Sequence, residues 1–338
     1  MAVTAAPTTL RRVAYWPPWV AVAGLAAASV AGLRVPLPVQ YAVLAATAVV
    51  LGLPHGAADY LVPSRLRATD PSVRGVLAVG LLYLVLGGGY ALVWFAAPAL
   101  AAVAFVLLTW FHWGQGDLYP LVALGGADHL SSPASRALAV GVRGALPMVV
   151  PLVAFPDRYR AVVADLVGLF APAATARLDW AFRTNVRAAL AGTLVTGVLV
   201  AAALGFRSSR PGHRRPWLVD VGEMALLGGY FLVVPPVLAI AWYFTWWHSL
   251  RHVVRLAALD DRSTARDGDG WPALRRFYRD ATPLTVAALV LLVGFATVVP
   301  YRPTGLADGV AVYLVLLAVL ALPHAVLVTW MDRSQGLL

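Results

Sequence analysis

Cysteine and lysine are absent from the 338 residues, and histidine occurs only seven times. Without cysteine there can be no disulfide, no thiolate-held iron–sulfur cluster and no cysteine nucleophile, so histidine and carboxylate are the ligands that remain. Charge is scarce too: 12% of residues are charged against 60% hydrophobic, and the mean hydropathy is +0.76. That balance lies far outside soluble usage and makes a bilayer the main solvent. All 26 basic residues are arginine and the formal charge is +10. These arginines are scattered between apolar runs, which fits membrane orientation and gives no reason to expect nucleic acid as a partner.

What is plentiful is apolar runs of the ~20 residues that cross about 30 Å of hydrocarbon as a helix. Arginine, proline and glycine punctuation predicts spans near 16–33, 38–57, 75–96, 99–118, 137–155, 186–206, 217–234, 236–256, 281–299 and 307–330. The expected fold is all-α: a polytopic integral membrane helix bundle of about ten spans forming one membrane domain over 1–338. Eight or nine spans result if the pairs around Pro235-Pro236 and Ala97-Pro98 are single kinked helices. The arginines ahead of the first apolar run precede no clear small-residue cleavage site, so the first span is read as retained. With the N-terminus cytoplasmic, the inner side receives seventeen arginines and the outer side six, four of them in the loop 156–185, which is expected to include an amphipathic surface helix. The inner loop 257–280 reads as solvated.

An ionisable group inside a span costs several kcal/mol unless satisfied, which makes it a functional candidate. His129 and His213 fall in loops and are given no role. His55 in LGLPHGAADY, His112 in LLTWFHWGQGD, His248 and His252 in WYFTWWHSLRH, and His324 in VLALPHAVLVTW belong to the second, fourth, eighth and tenth spans. All four spans run outside to inside, and each histidine falls at a similar distance along its span, so the imidazoles can meet at one depth. His248 and His252 stand four apart, which on a helix puts both rings on one face, with Cβ atoms about 6 Å apart. Two rings so placed can grip one cation, and imidazole suits iron, zinc and copper alike. Bis-histidine haem is disfavoured, because its axial ligands must approach from opposite faces of the ring. The plain alternative is that each histidine merely satisfies a hydrogen bond between helices.

The neighbours admit the same two readings. Gly56, Gly114 and Gly116 permit close approach of a substrate or of another helix. Asp59 and Asp117 can accept a histidine N–H as supporting partners. Arg251 is expected to pair with Glu223, Asp59 or Asp332. Trp113, Tyr243 and Trp247 belong to an aromatic group lying well inside its spans, either a displaced interfacial belt or a wall for a long apolar or polyene ligand.

The segments PHGAAD at 54–59, FHWGQGD at 111–117, WWHSLRH at 246–252 and LPH at 322–324 resemble, in order, those of the Brp/Blh family of β-carotene dioxygenases. The resemblance implies a multi-pass, non-haem Fe(II) enzyme in the cell membrane of a prokaryote. Its substrates would be β-carotene and O₂, the central 15,15′ double bond would be split, and two retinal would be available to a rhodopsin-type partner. By the same resemblance His55, His112, His248 and His252 would hold the iron and be catalytic. His324 would line the site, with Asp59, Asp117, Trp113, Tyr243, Trp247, Gly56 and Gly114 around it.

Three other readings compete. A membrane di-iron desaturase or hydroxylase also uses HxxxH segments, but generally needs about eight histidines and an external electron donor. A metal transporter needs a polar path across the full membrane, whereas the outer halves of these spans hold almost no ionisable groups. A carotenoid-binding membrane protein without turnover is the third alternative.

Overall fold

The structure, a computed structural model, describes residues 8–259 and 271–338. The described residues form helices and no strand. In chain order they are α1 (Thr8–Val30), α2 (Leu37–Arg67), α3 (Val73–Ala96), α4 (Pro98–Leu124), α5 (Pro133–Ala154), α6 (Pro156–Gly168), α7 (Thr184–Ser208), α8 (Arg215–Val233), α9 (236–258), α10 (Trp271–Val298) and α11 (Leu306–Ser334). Nine of these are long and apolar enough to cross a membrane, and α6 and α9 are not among them. The chain is a polytopic helical membrane protein. Helix α9 falls short because it carries the tryptophans, the histidine pair and two arginines.

Both uncertain boundaries are breaks between separate helices. Val234 and Pro235 are extended, with ψ 131° and 140°, so Pro236 starts a new helix at the position where its missing N–H costs nothing. Ala97 (φ −148°, ψ 66°) does the same ahead of Pro98. One expectation needs correction. Residues 271–280, read as solvated loop, form the first turns of α10 and bury Ala273, Leu274 and Phe277, while 260–270 lie outside the described residues. The loop 156–185 contains the expected amphipathic helix, α6, which exposes Asp157, Arg158 and Arg160 and buries Leu166 and Val167 in the cluster that holds Trp94, Val312 and Val315.

Burial separates two kinds of helix. α7 and α10 have nearly all-apolar faces that are exposed in the isolated chain, including Val195, Leu199, Val286, Val290 and Val293. Such faces suit lipid. α5 and α11 are buried on most sides and form the centre of the bundle. Small residues let the central helices close. A Cβ on Gly114 would run into the backbone of Val140, and one on Gly144 into that of Trp110, so α4 and α5 touch backbone to backbone.

Candidate metal centre

Three of the four histidine helices carry a π turn or a proline beside their ligand candidates, while His112 lies in regular helix. In α2 a π turn over Ala48–Gly52 precedes Pro54, and the Gly52 carbonyl accepts a hydrogen bond from Nδ1 of His55. Proline removes the N–H that would have bonded one turn back, and a π turn absorbs the register change. In α9 a π turn over Phe244–Ser249 contains His248. In α11 Pro323 immediately precedes His324, and the carbonyl that proline leaves behind, that of Val319, lies against Gly87 of α3. A Cβ there would stand 3.3 Å from that oxygen. The wide turns displace side chains from regular helical positions and aim them inward.

Five imidazoles meet there. Ring centroids lie 4.7 Å apart for His112 and His248, 4.8 Å for His112 and His324, 4.9 Å for His55 and His324, and 5.0 Å for His252 and His324. His55 stands 5.7 Å from both His248 and His252. All five are buried. The ligand-capable atoms of His55, His112 and His248 fall within 4.8 Å of one another, and so do those of Asp59, His252 and His324. The residues fit a cation. Nε2 of His112 and Nε2 of His248 are 3.1 Å apart, and two nitrogens bound at right angles, each about 2.1 Å from one ion, would stand about 3 Å apart. Nε2 of His252 and of His324 are buried with no hydrogen-bond partner, which is costly for polar atoms in an apolar interior unless a ligand satisfies them.

The carboxylates do different work from that expected. Asp59 does not support His55. Its Oδ2 lies 2.7 Å from Nδ1 of His324 and accepts the Tyr83 hydroxyl at 2.5 Å. Asp117 does not support His112. It is fully buried in an ion network, where Arg143 donates to it at 2.8 Å, Arg251 at 2.9 Å and the Trp247 indole at 3.0 Å. Arg143 also bonds Asp220 at 2.7 Å and Glu223 at 2.5 Å, and Arg251 bonds Glu223 at 2.5 Å. Of the partners expected for Arg251, Glu223 is found; Asp59 serves His324, and Asp332 pairs with Arg255 at 2.7 Å. His129, expected to be solvated, is buried with Nε2 2.9 Å from Asp220; His213 is exposed.

Two guanidinium groups therefore face three carboxyl groups between α4, α5, α8 and α9, directly behind the imidazoles. The network is continuous with the imidazole cluster through Trp247, which neighbours His248 in sequence and lies under the Arg251 guanidinium at 3.9 Å. Sequence reading missed Arg143, Asp220 and His129. A signal existed for Arg143, an arginine in the middle of an apolar span, to which the rule applied to histidine applies equally.

The imidazoles open onto an apolar cavity of about 440 Å³, whose walls include His55, His112 and His324. Along α2 its lining runs from Tyr41 to Tyr60, which at about 1.5 Å per residue is roughly 28 Å. Trp113 and Phe244 form one wall, with ring centroids 5.8 Å and 6.0 Å from that of His248. Tyr243 and Trp247, expected at that wall, sit one layer back: Tyr243 packs on Trp113 at 5.0 Å and is stacked with Trp247 at 6.2 Å. Gly56 lines the cavity beside His324, whereas Gly114 is in the α4–α5 contact and does not.

The profile of the family described as "Beta-carotene 15,15'-dioxygenase" matches residues 46–332, a stretch that contains every one of these imidazoles. The chain belongs to the β-carotene 15,15′-dioxygenase family. Among its relatives, "Probable beta-carotene 15,15'-dioxygenase Blh" of Halobacterium salinarum is 46% identical over 98% of this chain and 95% of its own length. "Probable beta-carotene 15,15'-dioxygenase Brp" of the same organism is 33% identical over 91% of this chain and 88% of its own. The "Beta-carotene 15,15'-dioxygenase" of an uncultured marine bacterium is 31% identical over a shorter stretch, 21% of this chain and 26% of its own. No solved structure matches the chain.

Proposed function

We propose that this chain cleaves β-carotene at its 15,15′ double bond with O₂, giving two molecules of retinal, and that His55, His112, His248 and His252 hold the non-haem Fe(II) on which this depends. The observation that carries the reading is the placement of buried, metal-competent imidazoles on the wall of a long apolar cavity inside the membrane. Family membership supports the substrate and the bond, since the relatives bear that activity in their names.

His55, His112, His248 and His252 would hold the iron, which when bound would supply the activation of O₂ that cleavage needs. The chain's own residues do the rest. Leu44, Val237, Leu317 and their neighbours offer a dry channel that takes a polyene from the lipid phase and keeps water from the reacting carbons. Trp113 and Phe244 flank it, holding the conjugated chain beside the imidazoles. Gly52 keeps Nδ1 of His55 occupied, which leaves its Nε2 as the ligand atom. Both oxygen atoms go into the two aldehydes and the alkene supplies the electrons, so no flavin, nicotinamide or external donor enters the reaction.

The same reading puts the protein in the cell membrane as one membrane domain with a cytoplasmic N-terminus, where released retinal can pass to a rhodopsin-type apoprotein. The test is to purify the protein in detergent, supply β-carotene with ¹⁸O₂ and identify the products. Retinal carrying label, formed without an added reductant, supports the proposal. A hydroxylated or desaturated carotenoid, or turnover only with an electron donor, overturns it.

A further inference from the structure

We infer that His324 is a fifth imidazole ligand of the same cation, held for that role by Asp59 and Tyr83. The inference rests on the proposed iron centre and goes beyond the four-histidine set.

A neutral imidazole has one N–H and one lone pair, and the partner of one nitrogen decides which atom carries the pair. Asp59 Oδ2 lies 2.7 Å from Nδ1 of His324, so the N–H is at Nδ1 and the lone pair at Nε2. That Nε2 is buried and has no partner. The ring carrying it lies within 4.8–5.0 Å of those of His112, His55 and His252. Nε2 of His252, the neighbouring ring, is also buried without a partner. One cation between them satisfies both atoms. A carboxylate that fixes the far nitrogen of a metal-binding imidazole sets both its tautomer and its orientation.

Asp59 is itself fixed. The Tyr83 hydroxyl donates to the same Oδ2 at 2.5 Å from the π turn Tyr83–Gly87 of α3. Gly56 lies beside the pair, where a Cβ would stand 3.6 Å from Nδ1 of His324 and 4.0 Å from the Tyr83 oxygen, both ordinary contact distances. Pro323 and the Val319–Gly87 contact set where α11 presents the ring.

The experiment uses the full chain in detergent, loaded anaerobically with Fe(II). Iron affinity is measured by chelator competition, and imidazoles at the iron are counted by X-ray absorption, for wild type, His324→Ala, Asp59→Asn and Tyr83→Phe. The inference predicts one imidazole fewer in His324→Ala, partial recovery with added imidazole, and iron affinity lowered roughly ten- to hundred-fold in Asp59→Asn, with a smaller loss in Tyr83→Phe. Should His324→Ala fail to fold, the isosteric Asp59→Asn and Tyr83→Phe give the decisive affinities. An unchanged imidazole count, or unchanged affinity in Asp59→Asn, overturns the inference while leaving the iron centre intact. A wild-type chain that takes up no iron overturns the iron centre itself.

Discussion

His112 and His248 meet through their Nε2 atoms at 3.1 Å, although they come from helices 136 residues apart in sequence. A cation between the two would bind both lone pairs and add to the stability of the folded chain, whereas without it one ring's Nε2–H can only donate to the other. Metal removal should therefore destabilise the fold as well as stop the chemistry. Chelation of the purified protein should lower its thermal midpoint and Fe(II) should restore it, since ligand at a hundredfold excess over its Kd adds about 2.7 kcal/mol. In His112→Ala the same titration should produce little shift. Equal shifts in both proteins would place the metal effect elsewhere.

The Arg143 guanidinium is fully buried and joins Asp117, Asp220 and Glu223. Removing one partner of a buried ionic group strands the others, at a cost of about 3–5 kcal/mol. Arg143→Met should lower the unfolding midpoint sharply. Arg160→Ala, which breaks the half-exposed pair with Asp179, should cost less than about 1 kcal/mol. Comparable losses in the two variants would deny the network its structural role.

Three glycines close to one another in the bundle should separate by effect. Gly114→Ala drives a Cβ into the Val140 backbone, which cannot give way, so folded yield and thermal stability should fall. Gly116→Ala places its methyl 3.0 Å from the His248 ring and should weaken iron binding in a protein that still folds. Gly56→Ala meets only ordinary contacts and should leave iron binding close to wild type. Iron content and melting curves on all three check the order.

Ala288 lines the cavity from α10 and is not among the ligand candidates. Ala288→Trp should obstruct the polyene channel, lowering carotenoid turnover while iron content stays as in wild type. Overpacking of this kind typically costs about 1–3 kcal/mol, so folded protein should still be recovered. Undiminished retinal formation would mean that the substrate takes another route.

Much of this was legible in the sequence because its signals are local. Length and apolarity announce a span wherever it lies, and the HxxxH spacing of His248 and His252 is readable within one helix. The pairings that hold the centre are not local. Arg143 reaches Asp220 across 77 residues, His129 reaches Asp220 across 91, and Asp59 meets His324 across 265. Helical periodicity gives no hint of such partners, so sequence alone offers Asp117 and Asp59 only the histidines nearby in the chain and offers His129 only a loop. The π turns were equally hidden, since their cause lies in packing and in prolines whose effect depends on the neighbouring helix. The break at Pro235-Pro236 could have been read more firmly, because the second proline suits the first turn of a new helix.

The account stands on imidazoles from four helices sharing a single cation, and the most direct measurement is metal content beside activity in purified protein. About one iron per chain in wild type, lost together with retinal formation in His248→Ala, is the predicted result. A metal-free wild-type chain that still forms retinal, or two irons per chain, would contradict it.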